Sequence, residues 1–178
     1  VYVSSDGDSV VSIIDTATDT VTGQIQVGMA PHGLALTPDG GTVLAAVFGA
    51  NQVAFIDTAT NSVVGQVPVA SPHNIAIDAT GTRAYVASQD PNAPSLVVLD
   101  ISTRSQVASV ALPKVPRALS LTPDGAHLYF SEAGDDAVQV LDTTSMQVTA
   151  QVTVGASPHL PLVTEDGKYV LVVVQGPG

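Results

Sequence analysis

No cysteine and no tryptophan occur among the 178 residues of this sequence, and only 4% of its residues are aromatic. The missing thiols exclude disulfides, thiolate metal centres and a thioether-linked haem within the chain. They leave the compartment open, because a protein without cysteine suits reducing and oxidising surroundings alike. Cations are nearly as scarce: five Lys and Arg stand against sixteen Asp and Glu, for a formal charge of -11. A phosphate backbone is bound through clustered Lys and Arg, so nucleic acid is not an expected partner. An acidic surface favours solubility and attracts cations or basic partners. No run of eighteen apolar residues is present, and no membrane span is predicted. The sequence opens on Val1 without a Met or a leader-like segment, which leads to the expectation that this terminus is a processing boundary or the edge of a longer chain.

Small aliphatic residues are abundant. Apolar residues make up 45% of the chain, mostly Val, Ala, Leu and Ile, enough for a sizeable core in one domain. Their order repeats. Asp15, Asp57, Asp100 and Asp142 each follow an Ile or Leu, at spacings of 42, 43 and 42 residues. Each opens a short polar segment: Asp15-Thr16-Ala17-Thr18, Asp57-Thr58-Ala59-Thr60, Asp100-Ile101-Ser102-Thr103 and Asp142-Thr143-Thr144-Ser145. Asp oxygens at such places accept backbone N–H groups of the turn, so turn capping rather than catalysis is expected of these four. Pro31, Pro72, Pro116 and Pro158 keep the same period, each ahead of an aliphatic stretch. Those stretches run into Pro38-Asp39-Gly40, Asp78-Ala79-Thr80-Gly81, Pro123-Asp124-Gly125 and Glu165-Asp166-Gly167. Two independent landmarks on one period define a structural repeat.

Within the second period, four strand candidates follow one another: His32 to Thr37, Thr42 to Phe48, Gln52 to Asp57 and Ser62 to Val69. Asp-Gly and Thr-Asn turns between them read as hairpins. Four strands in about forty residues, repeated, predict an all-β fold: a β-propeller of four-stranded antiparallel blades. Val and Thr crowd every segment and no helical period is sustained, which excludes a helical solenoid. The wider pattern, Gly28-x-x-Pro31-His32-Gly33, then Pro-Asp-Gly, then Tyr-Val with small polar residues, then an aliphatic run into Asp-Thr-x-Thr, resembles the YVTN propeller repeat. The tetrapeptide stands as Tyr2-Val3-Ser4-Ser5, drifts to Ala46-Val47-Phe48-Gly49, and returns as Tyr85-Val86-Ala87-Ser88 and Tyr129-Phe130-Ser131-Glu132. A fifth copy begins at Tyr169-Val170. The resemblance covers essentially the whole chain. It implies the propeller fold and the setting in which such repeats are familiar, surface-layer and secreted microbial proteins.

Repeat boundaries fall near 1–30, 31–71, 72–115 and 116–157, with a partial repeat over 158–178, so residues 1–178 form one propeller domain of about four blades. With the Pro-His strand innermost, the chain opens and closes on the second strand of a blade. The predicted inventory is seventeen strands: three, then three blades of four, then two. Both ends supply a second strand, so the count does not tile a closed four-bladed ring. An incomplete ring is expected: an arc of a longer propeller chain, or a copy that self-associates through open blade edges, because soluble proteins do not leave such edges bare.

The loops entering the innermost strands carry His32, His73, Arg117 and His159, each directly after the repeat's Pro. Equivalent positions of a propeller converge about its axis, so these four are predicted to ring one mouth. Imidazole is the commonest metal ligand and titrates near neutrality, so such a ring suits a metal, haem or an anion. A plainer reading makes Pro-His repeat consensus, its imidazole bonded to the neighbouring loop. Connections between second and third strands open on the same face and carry Asp6, Asp8, Asp90, Asn92, Glu132, Asp135 and Asp136. They suit a divalent cation or a basic partner, and equally they are what solvated turns contain. Asp6-Gly7-Asp8 lacks the other ligands of a calcium loop. The segment from Gln89 to Ser95 exceeds its siblings by about two residues, and insertions in a repeat mark loops that bind. His127 is expected to be an exposed turn residue. No nucleophile elbow, P-loop or His-Glu-x-x-His motif occurs, and neither a catalytic residue nor a cofactor is predicted.

Regular blades, an acidic surface and no catalytic motif predict a non-enzymatic binding or scaffold propeller with a protein partner. Its expected location is extracellular, on the cell surface or in the periplasm. The repeats are also similar to those of the d-type haem domain of nitrite reductases. That likeness implies an alternative, a redox propeller with a channel His as axial haem ligand. A propeller lyase or lactonase is a third reading; it needs metal carboxylates or a general base on the channel face, and none is identified in the sequence.

Overall fold

The computed structural model describes residues 1–176. Their regular structure is β throughout, apart from two single 3-10 turns at Asp6–Asp8 and Phe48–Ala50. Five antiparallel sheets follow in chain order. The first holds β1 (Tyr2–Ser5), β2 (Val10–Asp15) and β3 (Thr20–Gln26). The second holds β4 (Pro31–Leu36), β5 (Thr42–Val47), β6 (Gln52–Asp57) and β7 (Ser62–Pro68). The third holds β8 (Pro72–Ile77), β9 (Arg83–Ser88), β10 (Ser95–Asp100) and β11 (Ser105–Ala111). The fourth holds β12 (Pro116–Leu121), β13 (His127–Glu132), β14 (Ala137–Asp142) and β15 (Gln147–Thr153). The last is the pair β16 (Pro158–Val163) and β17 (Val170–Val174). The seventeen strands and their grouping are those expected from the repeat.

Local chemistry builds each blade. The third-to-fourth strand turns are capped as expected: Asp15, Asp57, Asp100 and Asp142 accept the N–H groups of Ala17, Thr60, Thr103 and Ser145 at 2.7 to 2.8 Å. The residue closing each of these turns is left-handed, with φ of 51, 50, 50 and 57° at Asp19, Asn61, Arg104 and Met146. The inner hairpin of the second blade is closed by Thr37, whose hydroxyl donates to Asp39 at 2.6 Å, and by Gly40 at φ 72°. Register shifts recur at two equivalent places: on each innermost strand after its leading Pro, as between Pro31 and Leu34, and on each third strand, as between Phe55 and Ile56. Such bulges steepen the strand twist a propeller blade needs.

Some boundaries differ from expectation. The innermost strands begin on Pro31, Pro72, Pro116 and Pro158 rather than on the following residue. Proline has no N–H to offer the ladder and is tolerated at a strand's first position. β5 stops at Val47 because Phe48 enters a 3-10 turn, and β7 stops at Pro68. His127 is not an exposed turn residue: it is half-buried, opens β13 opposite Asp142, and its N–H donates to the Thr122 hydroxyl at 3.0 Å.

The core lies between blades. Strand alternation sends Val43, Ala45 and Val47 of β5 toward the first blade, where they pack with Val11 and Ile25. Leu44 and Ala46 point the other way and pack with Ile75, Ala84, Val86 and Leu99 of the third blade. A strand buried on both faces reads as an unbroken apolar run, which is what Val43 to Val47 is. Between the third and fourth blades, Tyr85, Ala87, Leu96 and Val98 meet Leu119, Leu128, Phe130 and Leu141. Each of the larger of these side chains, fully buried, contributes about 1.5–3 kcal/mol.

Polar ties hold neighbouring blades in register. The Ser4 hydroxyl donates to His32 O and the Ser131 hydroxyl to His159 O, both at 2.6 Å. Leu119 N–H donates to Asn74 Oδ1 at 3.2 Å, and Val163 N–H to Ser120 Oγ at 3.2 Å. A Cβ on Gly33 would lie 2.6 Å from His73 O and 2.9 Å from the Asn74 Cα, so the innermost strands β4 and β8 approach only because this residue is glycine. At the outer rim, Arg104 covers Gly65 and donates from Nη1 to Val64 O at 2.7 Å, strapping the third blade to the second.

The first and last sheets do not pack against each other and each keeps an exposed outward face, so the described residues do not seal a ring. Both outward faces expose apolar side chains. Leu171 and Val173 hold the repeat positions of Leu44 and Ala46, yet they are 60% and 58% exposed where those are fully buried. Leu160, Leu162 and Tyr169 are exposed beside them, as are Val1 and Val3 at the opposite end. No helix among the described residues is long and apolar enough to cross a membrane.

Candidate functional site

The innermost strands β4, β8, β12 and β16 follow one another across the arc, and the residue after each leading Pro comes to one end of it. His32, His73, Arg117 and His159 are all half-buried there. The rings of His32 and His73 lie 4.8 Å apart, centre to centre, tilted by 34°. His32 also meets the Phe48 ring edge-on at 5.3 Å. His73 Nδ1 donates to the carbonyl oxygen of Arg117, 3.1 Å away in the next blade. His73, Arg117 and His159 line one recess of about 300 Å³, together with Gln89, Val115 and Ala133. The four predicted residues therefore form a chain of neighbours across consecutive blades, and three of them share a cavity.

The electrostatics of this mouth follow from burial and like charge. Burial pushes the His73 imidazole below its ordinary range, and charge on His32 pushes it further. The Arg117 carbonyl opposes this by favouring the protonated ring. Arg117 has no ion-pair partner among the described residues. The arrangement offers a guanidinium and imidazole nitrogens to a small anion. Among the described residues no three His, Asp or Glu side chains stand where they would hold a metal ion together.

The second-to-third strand connections divide. Asp6, Asp8, Asn92 and Asp136 are exposed, and Asp90 caps its own loop by accepting the Asn92 N–H at 2.9 Å. These behave as turn acids and amides. Glu132 does not. It is not in the loop but ends β13 opposite Pro116, 2% exposed, with Oε1 lacking any hydrogen-bond partner. Its repeat position in the second blade holds Val47, which packs against the preceding blade. Burial raises the Glu132 carboxyl above its ordinary range and the nearby Asp135 charge raises it further, while Lys114 pulls it down.

Glu132 and Asp135 line a cavity of about 370 Å³ between the third and fourth blades. Leu112, Pro113, Phe130 and Val148 give it apolar walls, and Lys114, Gln139 and Gln151 complete it. Lys114 Nζ lies 3.3 Å from Asp135 Oδ2, and the Gln139 amide donates to the same oxygen at 3.2 Å. Gln139 and Gln151 were not apparent as site residues from sequence. The signal for Gln139 is a buried amide inside the aliphatic run of β14. Gln89 was apparent only through its long loop; its amide donates to Pro116 O at 2.9 Å and props the strand that carries Arg117.

Comparison with known proteins agrees with this architecture. A family model described as YNCE-like beta-propeller matches residues 1–75. No curated protein matches the chain. Among solved structures, Kuenenia stuttgartiensis hydrazine synthase superposes with a TM-score of 0.89 at 26% identity, over 96% of this chain and 51% of that one. The chain thus spans about half the length of the structure it matches. In repeat and in fold, this chain is an array of β-propeller blades, consistent with the YVTN type of propeller repeat.

Proposed function

We propose that this chain is a non-enzymatic binding platform, secreted, periplasmic or on the cell surface, that receives an anionic group of a protein partner at the mouth of its inner strands. The observation that carries this reading is the shared recess of His73, Arg117 and His159, which come from three successive blades. Arg117 supplies a permanent charge with a planar set of donors suited to a carboxylate. The imidazoles add charge as they protonate. On an acidic chain this is the one recess that combines a guanidinium with two imidazoles among the cavities described.

Titrating the protein with acetate, phosphate, zinc, copper and haem between pH 5 and 8 tests the proposal. Anion binding that strengthens on acidification and is lost in Arg117→Ala supports it. Silence with every probe leaves the Pro-His pattern as repeat consensus and overturns it. Uptake of haem with a visible absorption band would favour the second reading, a redox enzyme, which draws its support from the likeness to a hydrazine synthase.

The bare faces at both ends bear on the partner as well. Leu44 and Ala46, and Tyr85 and Ala87 in the next repeat, are covered by the following blade. Leu171 and Val173 occupy the same positions and offer the same surface. The occupant these faces fit is further blades of the same kind, continuing the ring. A second copy of this chain fits less well, because β17 and the other copy's β1 would compete for one strand position.

A further inference from the structure

We infer that the cavity between the third and fourth blades is a binding site for an alkylammonium group, with Glu132 as its counter-ion. The site shares no lining residue with the recess of His73, Arg117 and His159, so it stands apart from the mouth. Three observations lead to it. First, Glu132 breaks the repeat: Val47 and Ser88 stand at its position in the two preceding blades, paired like it with the leading proline. Second, Glu132 is 2% exposed and its Oε1 is buried with no partner. A buried carboxylate oxygen left without a donor is destabilising, and an interior position that has a workable aliphatic alternative in a sister blade does not keep one for stability. Third, the charges around it are unbalanced. Lys114 is taken by Asp135 at 3.3 Å, which leaves one net negative charge in the cavity when both acids are ionised.

The walls narrow the ligand further. Leu112, Pro113, Phe130 and Val148 favour an apolar body over a bare, strongly hydrated ion. Three His, Asp or Glu ligands for a metal are not assembled among the described residues. A primary ammonium on a short alkyl chain satisfies both features: its N–H groups meet the unpartnered Glu132 Oε1 and the amide oxygens of Gln139 and Gln151, and its carbons meet the walls. That chemistry comes either as a free amine or as a lysine side chain of another protein.

The experiment is an amide-resolved NMR titration of the 178-residue protein at pH 7.5. The probes are n-butylammonium, its neutral isostere n-butanol, and the peptide acetyl-Gly-Lys-Gly-amide. Butylammonium is expected to shift amides of Leu112 to Lys114 and Glu132 to Gln139, with butanol weaker by about tenfold or more. Glu132→Gln, which keeps the shape, is expected to lose that preference while the rest of the spectrum holds. Lys114→Ala, which removes the local cation, is expected to tighten butylammonium. A peptide that binds as well as the free amine assigns the site to a lysine side chain; a peptide that fails while the amine binds assigns it to small amines. Equal binding of butanol and butylammonium, full retention of preference in Glu132→Gln, or no shift in these amides overturns the inference. The butanol comparison needs no variant, so it decides the matter even if Glu132→Gln folds poorly.

Discussion

His73 donates from Nδ1 to the carbonyl oxygen of Arg117, 3.1 Å away across a blade boundary. A carbonyl only accepts, so the neutral ring carries its proton on Nδ1 and keeps a lone pair on Nε2. One bond thereby fixes a tautomer, positions the backbone of the neighbouring cation, and leaves one ring nitrogen for a ligand.

Burial and the charge of His32 depress the His73 pKa below 6.5. The unfolded chain therefore takes up this proton first as pH falls. The stability His73 lends is complete above about pH 6.5 and is lost as pH drops toward its folded midpoint. An NMR titration should place the midpoint below 6.5. Urea unfolding of His73→Gln should show a shallower loss of stability between pH 7 and 5 than the parent protein.

Gly33→Ala should destabilise by about 1–3 kcal/mol, because the new methyl meets backbone atoms of β8 rather than a side chain able to turn aside. Denaturant midpoints will check this. Gly7→Ala, where a Cβ meets nothing within 4 Å, is the matched control and should cost far less.

The Asp100 carboxyl is held down to about 2 by the Thr103 backbone N–H, the Ser102 hydroxyl and the Thr103 hydroxyl. A depressed carboxyl stabilises above its unfolded pKa near 4, and that contribution disappears as pH falls toward 2. Asp100→Asn should lower the melting temperature at pH 7 and flatten the acid limb of the stability profile. Equal melting temperatures at pH 7 would contradict the capping role.

Glu132 behaves in the opposite sense. Its raised carboxyl is better tolerated protonated, so its penalty is smallest below the unfolded value near 4.3 and grows as pH rises through the folded one. Glu132→Leu should add about 1–3 kcal/mol at pH 7.5 by removing a buried acceptor without a partner. The measurement is chemical unfolding at pH 4 and 7.5, where the gain should be larger at the higher pH.

Leu171→Lys and Val173→Lys should leave the melting temperature nearly unchanged, since both side chains already face solvent. In light scattering they should reduce association of the isolated chain. Leu44→Lys, at the same repeat position but buried between blades, should abolish folding.

The repeat made the blade legible because its signals are local. A capping Asp, a strand-opening Pro and a Pro-Asp-Gly turn each act within a few residues, and their spacing survives translation into structure. The mouth was legible for the same reason: equal repeat positions take equal places, so His73, Arg117 and His159 meet. Glu132 was misplaced as a loop acid because its neighbours in sequence, Ala133 to Asp136, are loop residues. Its surroundings include Leu112 and Pro113, from the connection that leaves the third blade. Alignment with Val47 and Ser88 carried the clue, since a charge where sister repeats hold small or aliphatic residues marks a broken rule.

Arg104 and Gly33 together have a geometric consequence. One straps neighbouring blades at the circumference and the other lets them touch near the centre. Two contacts, near and far, set the wedge between them. The wedge angle divides a full turn into a set number of segments, so the size of the circle these repeats belong to is encoded in the contact of one adjacent pair.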